Sequence, residues 1–173
     1  MVSEMVSAMV NSTNLTDGLD GLASSVALVA ALCTTVIAFC FADASSVLIS
    51  AVMIGGMIAF LLFNHYPAKV FMGDTGSLSI GGIIAVFALC IRKELLLPLM
   101  CGIFLAEALS VMVQVGWFKY TKRKYGEGRR ILLMSPLHHH YQKKGLFETK
   151  IVMRFFIVSI LLCALTLVTL KIR

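Results

Sequence analysis

The stretch "LASSVALVAALCTTVIAFCF", residues 22–41, contains no charged side chain over its whole length. A helix needs about 20 mainly apolar residues to cross the hydrocarbon core of a bilayer, and this stretch has that length. Hydrophobic residues make up 59% of the 173-residue chain, and only 14% of its residues are charged. These proportions are typical of integral membrane proteins and exclude an ordinary soluble domain.

Four further apolar runs follow along the chain, so the sequence predicts five membrane-spanning helices. The second run contains a Gly55-Gly56 pair and the third run is short. Helices in a bundle tolerate such irregularities when their neighbours satisfy the backbone groups. We therefore expect an all-α integral membrane protein whose residues 1–173 form one membrane domain. The five predicted spans are residues 22–41, 47–63, 77–91, 95–118 and 151–170.

The distribution of basic residues predicts which ends of the helices face the cytoplasm. Five spans place the loops 64–76 and 119–150 on one side, where they carry ten Lys and Arg residues against four on the other side. By the positive-inside rule, the side with ten is cytoplasmic. A basic loop beside a membrane also accounts for the net charge of +6, so we expect no nucleic-acid partner.

The stretch "TNLTDGLDGLASS", residues 13–25, places polar residues directly before the first span. Asn14, Asp17 and Asp20 are three residues apart, so on a helix they lie roughly along one face. Gly18 and Gly21 leave backbone that a ligand can approach closely. Helix capping by Asn14 or Asp17 is the simpler alternative. We favour a polar binding face, because ionisable groups at a membrane boundary are functional candidates by default.

A second polar cluster, "FNHYPAKVFMGDTGSLSIGG" at residues 63–82, lies on the same predicted side. Asp74 precedes an apolar helix, and Thr75 or Ser77 is available to cap that helix. A free carboxylate near a second acidic cluster suits Mg²⁺, which binds one or two carboxylates together with phosphate oxygens. The sequence therefore indicates a diphosphate substrate, and capping by Asp74 itself is the alternative.

The third cluster is "SPLHHHYQKKG", residues 135–145. Three consecutive histidines cannot all face one way on a regular element, so we do not expect a closed tetrahedral metal site from this run alone. Because Pro136 disfavours helix at Ser135, we expect a fixed turn here. The spacing leaves two alternatives: a loop that offers imidazole and ammonium donors to phosphate, or a solvated loop with no role.

The three motifs, in this order and with helices between them, resemble the phospho-N-acetylmuramoyl-pentapeptide transferase family. The matching segments are "NLTDGLDGLA", "NHYPAKVFMGDTGSLSIGG" and "PLHHHYQKKG". The wider superfamily of polyprenyl-phosphate N-acetylhexosamine-1-phosphate transferases shares the aspartate motifs. The histidine run followed by Lys-Lys-Gly is closer to the peptidoglycan branch, and the resemblance covers residues 11–173.

The resemblance implies a Mg²⁺-dependent transferase at the cytoplasmic face of the bacterial inner membrane. Members of the family move phospho-N-acetylmuramoyl-pentapeptide from its uridine diphosphate carrier (UDP-MurNAc-pentapeptide) to undecaprenyl phosphate. The products are lipid I and uridine monophosphate, in the pathway of peptidoglycan synthesis. The resemblance also implies contact with membrane lipids and a homodimer in the full-length family.

The positions of the motifs imply a role for each matching residue. Asp74 corresponds to the metal ligand, and Phe71 to the aromatic ring that stacks on uracil. The implied catalytic residues are Asp74, His138 and Asp17. The implied substrate-binding residues are Asn14, Gly18, Leu19, Asp20, Asn64, Phe71, Gln114 and His139.

The chain departs from the family pattern in its length. Family members have about ten spans, twice the number predicted here, and their first half carries a paired-aspartate motif. This chain contains no Asp-Asp pair. We therefore expect half of a larger bundle, as the carboxy-terminal portion of such a protein or a truncated product.

Three other functions stay open. The chain could belong to a sister transferase that uses another UDP-N-acetylhexosamine, or it could be a non-catalytic membrane fragment. A cation transporter is less favoured, because its ionisable groups would line a cavity near the middle of the membrane. Here the ionisable groups cluster at one interface.

Overall fold

Helices carry most of the described chain, as the long apolar runs predict. The computed structural model describes residues 2–41 and 43–171, and no strand occurs in those ranges. A one-turn 3-10 helix, Glu94–Leu96, directly precedes the fifth α-helix. The α-helices are α1 (Val2–Thr16), α2 (Leu22–Cys40), α3 (Ala44–Asn64), α4 (Gly73–Cys90), α5 (Leu97–Met100), α6 (Gly102–Tyr125), α7 (Leu137–Lys143) and α8 (Glu148–Lys171).

Five of these helices, α2, α3, α4, α6 and α8, are long and apolar enough to cross a membrane. The prediction of five spans in an all-α fold is therefore confirmed. The fourth predicted span is divided, because α5 ends at Met100 and α6 begins at Gly102, with Cys101 in a non-helical conformation between them. Its helix α6 also runs past residue 118 to Tyr125. Gly126 ends it in a left-handed conformation with φ of 79°.

The helix α2 forms the centre of the described bundle. It packs against α3, α4 and α8. In an apolar stretch of 18 residues of α2, 72% of the residues are buried, whereas the corresponding share for α3 is 11%. The buried core continues from α2 into α4 and α6, where Ile84 and Phe104 are fully buried. The edge position of α3 leaves most of its apolar surface uncovered by the described helices.

The helix α1 is an additional element that lies across α4 and α6. Its Met9 side chain is buried, and Met5, one turn earlier, packs against the core. The crossing with α4 is close, because a Cβ atom at Gly81 would lie only 2.7 Å from the Cα atom of Val10. This close crossing places the end of α1 beside the beginning of α4.

Candidate active site

The acidic motif of residues 17–21 forms a turn that connects α1 to α2. The helix α1 ends at Thr16, and Gly21 adopts a left-handed conformation with φ of 76° at the N-cap of α2. Glycine enters this conformation without a steric penalty. The expectation that Asn14, Asp17 and Asp20 share one helical face was therefore wrong, because only Asn14 lies on the helix.

The carboxylates of Asp17 and Asp74 lie close enough for their charges to interact. Asp17 is half-buried, and its burial, followed by the negative charge of Asp74, raises the pKa of its carboxyl group. The described residues contain no group of three or more His, Cys, Asp or Glu side chains that could hold a metal ion. Carboxylates are the ligand type that a hard cation takes together with phosphate oxygens, and the binding of Mg²⁺ by this pair stays a prediction.

Asn14 connects the end of α1 to the first turn of α4. Its Nδ2 atom donates hydrogen bonds to Asp74 Oδ1 and to Ser77 Oγ, each at 3.0 Å. No side chain caps α4, whose N-cap position is Met72. The predicted cap by Thr75 or Ser77 was wrong, and the alternative cap by Asp74 is also absent at this described helix. The Asp74 carboxylate is exposed and has Asn14 as a hydrogen-bond partner.

Two of the predicted substrate-binding residues hold the loop 65–72 in place. The Asn64 side chain accepts a hydrogen bond from Ser24 Oγ at 2.7 Å and donates one to a loop carbonyl at 2.9 Å. The Asp20 carboxylate accepts a hydrogen bond from a loop N–H at 2.9 Å. Both side chains thereby fix the loop that leads to Phe71. Their direct contact with a substrate stays a prediction.

Phe71 lies near the end of this fixed loop, and 74% of the residue is exposed. An exposed aromatic ring on a fixed loop provides a flat surface on which a nucleotide base can stack. Leu19 is instead buried and belongs to the core cluster. The Phe71 ring is therefore open to solvent, whereas the implied ligand contact of Leu19 involves its backbone and stays a prediction.

A buried glutamate holds the first of the three histidines. Glu107 on α6 and His138 on α7 are both fully buried. Glu107 Oε2 lies 3.2 Å from His138 Nδ1, and Glu107 Oε1 accepts a hydrogen bond from the His138 backbone N–H at 3.2 Å. One carboxylate thus accepts the His138 backbone N–H and lies beside the ring, where Glu107 Oε2 and His138 Nδ1 do not form a hydrogen bond. The sequence analysis missed Glu107, although an acidic residue inside an apolar span is a signal for a paired or functional group.

The other side of the His138 ring packs against the acidic turn. Any side chain at Gly18 would collide with the Nε2 atom of His138. This Nε2 atom is buried and has no hydrogen-bond partner among the described residues. The structure thus brings the histidine motif and the Asp17 turn together. The predicted contact of His138 with the substrate stays a prediction.

The three histidines lie on the short helix α7, so the expected fixed turn was wrong. Pro136 occupies the N-cap position, and its steric restriction acts on Ser135, which precedes the helix. The rings take different directions, as expected for adjacent residues. His138 is buried, His139 Nδ1 lies 2.8 Å from a glutamine oxygen, and His140 Nδ1 accepts a hydrogen bond from a loop N–H at 3.1 Å.

Gln114 on α6 is buried and anchors the loop 126–136. Its Oε1 atom accepts hydrogen bonds from the N–H groups of Ile131 and Leu132 at 3.1 Å and 2.9 Å. Its Nε2 atom donates to the carbonyl of Leu132 at 3.3 Å. The side chain therefore fixes the loop, and its implied contact with the nucleotide stays a prediction.

The comparison with protein families identifies the segment that carries this site. A model of glycosyl transferase family 4 matches residues 2–92, which is more than half of the chain. The matched segment contains the acidic turn, the loop 65–72, Phe71 and Asp74. These are the groups that the structure brings together at the ends of α1, α3 and α4.

The chain is also similar over nearly its whole length to phospho-N-acetylmuramoyl-pentapeptide-transferases. It is 53% identical to the one from Flavobacterium psychrophilum, with 98% of this chain and 45% of the relative covered. It is 48% identical to the one from Parabacteroides distasonis, with 100% and 48% covered. It is 49% identical to the one from Chlorobaculum tepidum, with 98% and 50% covered.

The chain spans about half the length of the curated relatives it matches. That proportion agrees with the expectation of five spans out of a bundle twice as large. The relatives also confirm the resemblance predicted from the three polar motifs. The chain belongs to glycosyl transferase family 4.

Proposed function

We propose that the chain takes part in transferring phospho-N-acetylmuramoyl-pentapeptide from its uridine diphosphate carrier to undecaprenyl phosphate. The products are lipid I and uridine monophosphate. The observation that carries this proposal is the carboxylate pair of Asp17 and Asp74 with the exposed ring of Phe71 three residues before Asp74. The names of the similar proteins support the choice of donor.

Each group has a distinct part in this proposal. Asp17 and Asp74 hold Mg²⁺, which supplies positive charge to the diphosphate when bound, and Asn14 orients the Asp74 carboxylate. Phe71 stacks on uracil and positions the donor. The buried His138 imidazole packs against the Asp17 turn and positions it, and the partly exposed His139 imidazole beside it stabilises negative charge on the departing phosphate.

We also propose that this site faces the cytoplasm from the bacterial inner membrane. The acidic turn, the loop 65–72, the helix α7 and the beginning of α8 all lie at one end of the spanning helices. Ten Lys and Arg residues of the loops 64–76 and 119–150 belong to that end. The positive-inside rule supports this orientation.

The proposal is tested with the complete protein that contains this sequence, purified in detergent. Release of uridine monophosphate from UDP-MurNAc-pentapeptide is measured with and without undecaprenyl phosphate and Mg²⁺. The wild type should release the nucleotide only when all components are present. Asp74→Asn should lower the rate by about 10²-fold or more, because the amide keeps the shape but loses the charge. Unchanged thermal unfolding of this variant shows that the protein is folded.

Three results would contradict the proposed function or the role of Asp74 in it. Preferential use of UDP-N-acetylglucosamine over the muramoyl donor would assign the chain to a sister transferase. Cation flux into reconstituted vesicles, with no lipid-linked product, would assign it to transport. Near-wild-type turnover of Asp74→Asn at ordinary Mg²⁺ concentrations would remove Asp74 from the site.

A further inference from the structure

The last spanning helix contacts the acidic turn through its first residue. The helix α8 begins at Glu148, and Glu148 Oε1 accepts a hydrogen bond from the Asp20 N–H at 2.8 Å. The two residues are 128 positions apart in the sequence. Both are half-buried, and a carboxylate acceptor makes a stronger hydrogen bond than a neutral one. None of the roles proposed above involves Glu148.

The two ends of the acidic turn are held by different helices. The N–H groups of Asp17 and Gly18 donate hydrogen bonds to carbonyls at the end of α1, at 3.2 Å and 2.9 Å. The Asp20 N–H donates instead to the first residue of α8. Loss of the contact with α8 therefore acts on Asp20 more than on Asp17.

Asp20 connects this contact to the loop 65–72 through its side chain. Its Oδ2 atom accepts a hydrogen bond from the Ala68 N–H at 2.9 Å, three residues before Phe71. Glu148, Asp20 and Ala68 thus form a chain of hydrogen bonds from α8 to the loop that presents the Phe71 ring. The hydrogen bond from Asn64 to this loop is a second support. Loss of the Asp20 support alone therefore shifts the Phe71 ring without unfolding the loop.

A simpler role for Glu148 is electrostatic stabilisation of α8. Glu148 lies in the first turn of this helix, where a carboxylate interacts favourably with the helix dipole. This interaction depends on charge and not on the reach of the side chain. The hydrogen bond to Asp20 depends on reach, because the acceptor must lie within about 3 Å of the donor nitrogen. The two roles therefore respond differently to the length and the charge of the side chain at position 148.

We propose that Glu148 is a positioning residue for the nucleotide donor. Its carboxylate sets the position of Asp20, and Asp20 sets the position of the loop that carries Phe71. The inference rests on the proposed function, since it takes Phe71 as the group that stacks on uracil. The helix α8 packs against α2, α5, α6 and α7, and these contacts keep it in place when the Glu148 side chain is changed. Glu148 acts on donor affinity rather than on the chemical step, because Asp17 stays attached to α1.

Two substitutions separate reach from charge in the complete protein in detergent. Glu148→Gln keeps the length and an oxygen that accepts the Asp20 N–H, but it loses the charge. Glu148→Asp keeps the charge but shortens the side chain by one C–C bond, about 1.5 Å. Calorimetry with UDP-MurNAc-pentapeptide and with uridine monophosphate measures both affinities. Glu148→Gln should bind both ligands within about twofold of the wild type, whereas Glu148→Asp and Glu148→Ala should bind them about three- to tenfold more weakly.

Turnover gives a second readout, which stabilisation of α8 alone would not produce. Glu148→Ala should raise KM for the donor by about three- to tenfold and leave kcat within about twofold of the wild type. In a protein that already carries Phe71→Ala, the same substitution should change donor affinity by less than about twofold, because the ring that it displaces is gone.

The matched control is Glu94, which is also half-buried and begins its own helix at the opposite end of the spanning helices. Glu94→Asp and Glu94→Gln should bind the donor like the wild type. Thermal unfolding monitors the folding of each variant. The comparison of Glu148→Asp with Glu148→Gln tests the inference even where Glu148→Ala does not fold.

Three results would overturn the inference. Wild-type affinity of Glu148→Asp together with weak binding by Glu148→Gln would assign Glu148 to the helix dipole. Wild-type affinity of all three Glu148 variants would show that the contact with Asp20 does not position the donor. An equal loss of affinity with and without Phe71→Ala would place the effect outside the Phe71 loop. Failure of the proposed function is a separate result, since the wild type would then release no uridine monophosphate.

Discussion

The imidazole of His138 lies against the backbone of Gly18, with no space between them for a side chain. The reason for glycine at this position is steric, because residue 18 does not adopt the left-handed backbone conformation. The contact joins residues that are far apart in the sequence into one wall of the candidate site. It also makes position 18 a direct test of the site geometry.

Gly18→Ala should destabilise the complete protein by about 1–3 kcal/mol and lower turnover, because the added methyl group forces the His138 ring to move. Thermal unfolding in detergent and release of uridine monophosphate measure the two effects. The control is Gly116→Ala on α6, where a Cβ atom meets nothing within 4 Å and no loss is expected. In a protein that already carries His138→Ala, the additional substitution Gly18→Ala should cause little further destabilisation, because the ring that it displaces is gone. Wild-type stability and turnover of Gly18→Ala would contradict the contact.

Glu107→Ala should be among the most destabilising single substitutions in the described chain. Removing the carboxylate leaves the buried His138 backbone N–H without its acceptor and leaves a cavity beside the ring, which together cost about 2–5 kcal/mol. Glu107→Gln should be milder, because its amide oxygen can still accept the His138 backbone N–H. Thermal unfolding ranks the two variants, and Glu127→Ala in the exposed loop serves as the control. Equal, small effects of all three substitutions would show that the pair does not hold α7.

Phe71→Ala should weaken binding of the nucleotide donor by about 1–3 kcal/mol, the range for a base-stacking aromatic. Phe71→Trp should be much milder, because the stacking surface is retained. The matched control is Phe147→Ala, since both phenylalanines are 74% exposed. Calorimetry with uridine diphosphate donors measures the effect. The same small change in both alanine variants would mean that Phe71 does not contact the base.

Asp43 should give α3 an acid-sensitive contribution to stability. Its carboxylate accepts hydrogen bonds from the Ser46 hydroxyl at 2.6 Å and from the Ser46 N–H at 3.3 Å, and these bonds lower the pKa of Asp43. A carboxyl group with a lowered folded-state pKa stabilises the fold above its unfolded-state pKa, and the effect is lost as the pH falls through the folded-state pKa.

The difference in Tm between the wild type and Asp43→Ala should therefore be constant between about pH 6 and 8 and shrink below about pH 4. Ser46→Ala should show a weaker version of the same profile, because the backbone hydrogen bond remains. Thermal unfolding in detergent across this pH range gives the profile. A difference in Tm that increases as the pH falls would contradict the role of Asp43 as the N-cap residue of α3.

The spans were predictable because the thickness of a bilayer sets the length of an apolar run. The end of α6 at Tyr125 was harder to predict, because the helix continues beyond the apolar run into a basic last turn. Lys and Arg are good helix formers and favour a helix C-terminus, so they extend α6 past the span. The division of the predicted span 95–118 at Cys101 was not predicted, since that position lies inside an apolar run. The expected turn at the histidines failed because proline restricts the residue before it and leaves the following residues free to form a helix.

Some residues of the candidate site could be selected from the sequence, but the contacts that hold them in place could not be predicted. Asp74 stands out between two glycines before an apolar span, whereas Phe71 was selected only because its motif resembles that of the transferase family. The support of His138 by Glu107 joins positions 31 residues apart, and no local pattern specifies that contact. Gln114 likewise appears polar and available in the sequence, whereas its amide is occupied by the loop that folds back on it.

The close crossing of α1 and α4 at Gly81 determines how close the Asn14 and Asp74 side chains lie at the acidic site. Gly81 follows Asp74 by seven residues, about 10 Å along α4, and Asn14 lies about 6 Å beyond Val10 on α1. Any side chain larger than hydrogen at position 81 must push the two helices apart at the crossing. Their ends then separate, and the 3.0 Å hydrogen bond between Asn14 and Asp74 lengthens. A substitution buried in the apolar part of the bundle would thus shift the Asp74 carboxylate, two helical turns away.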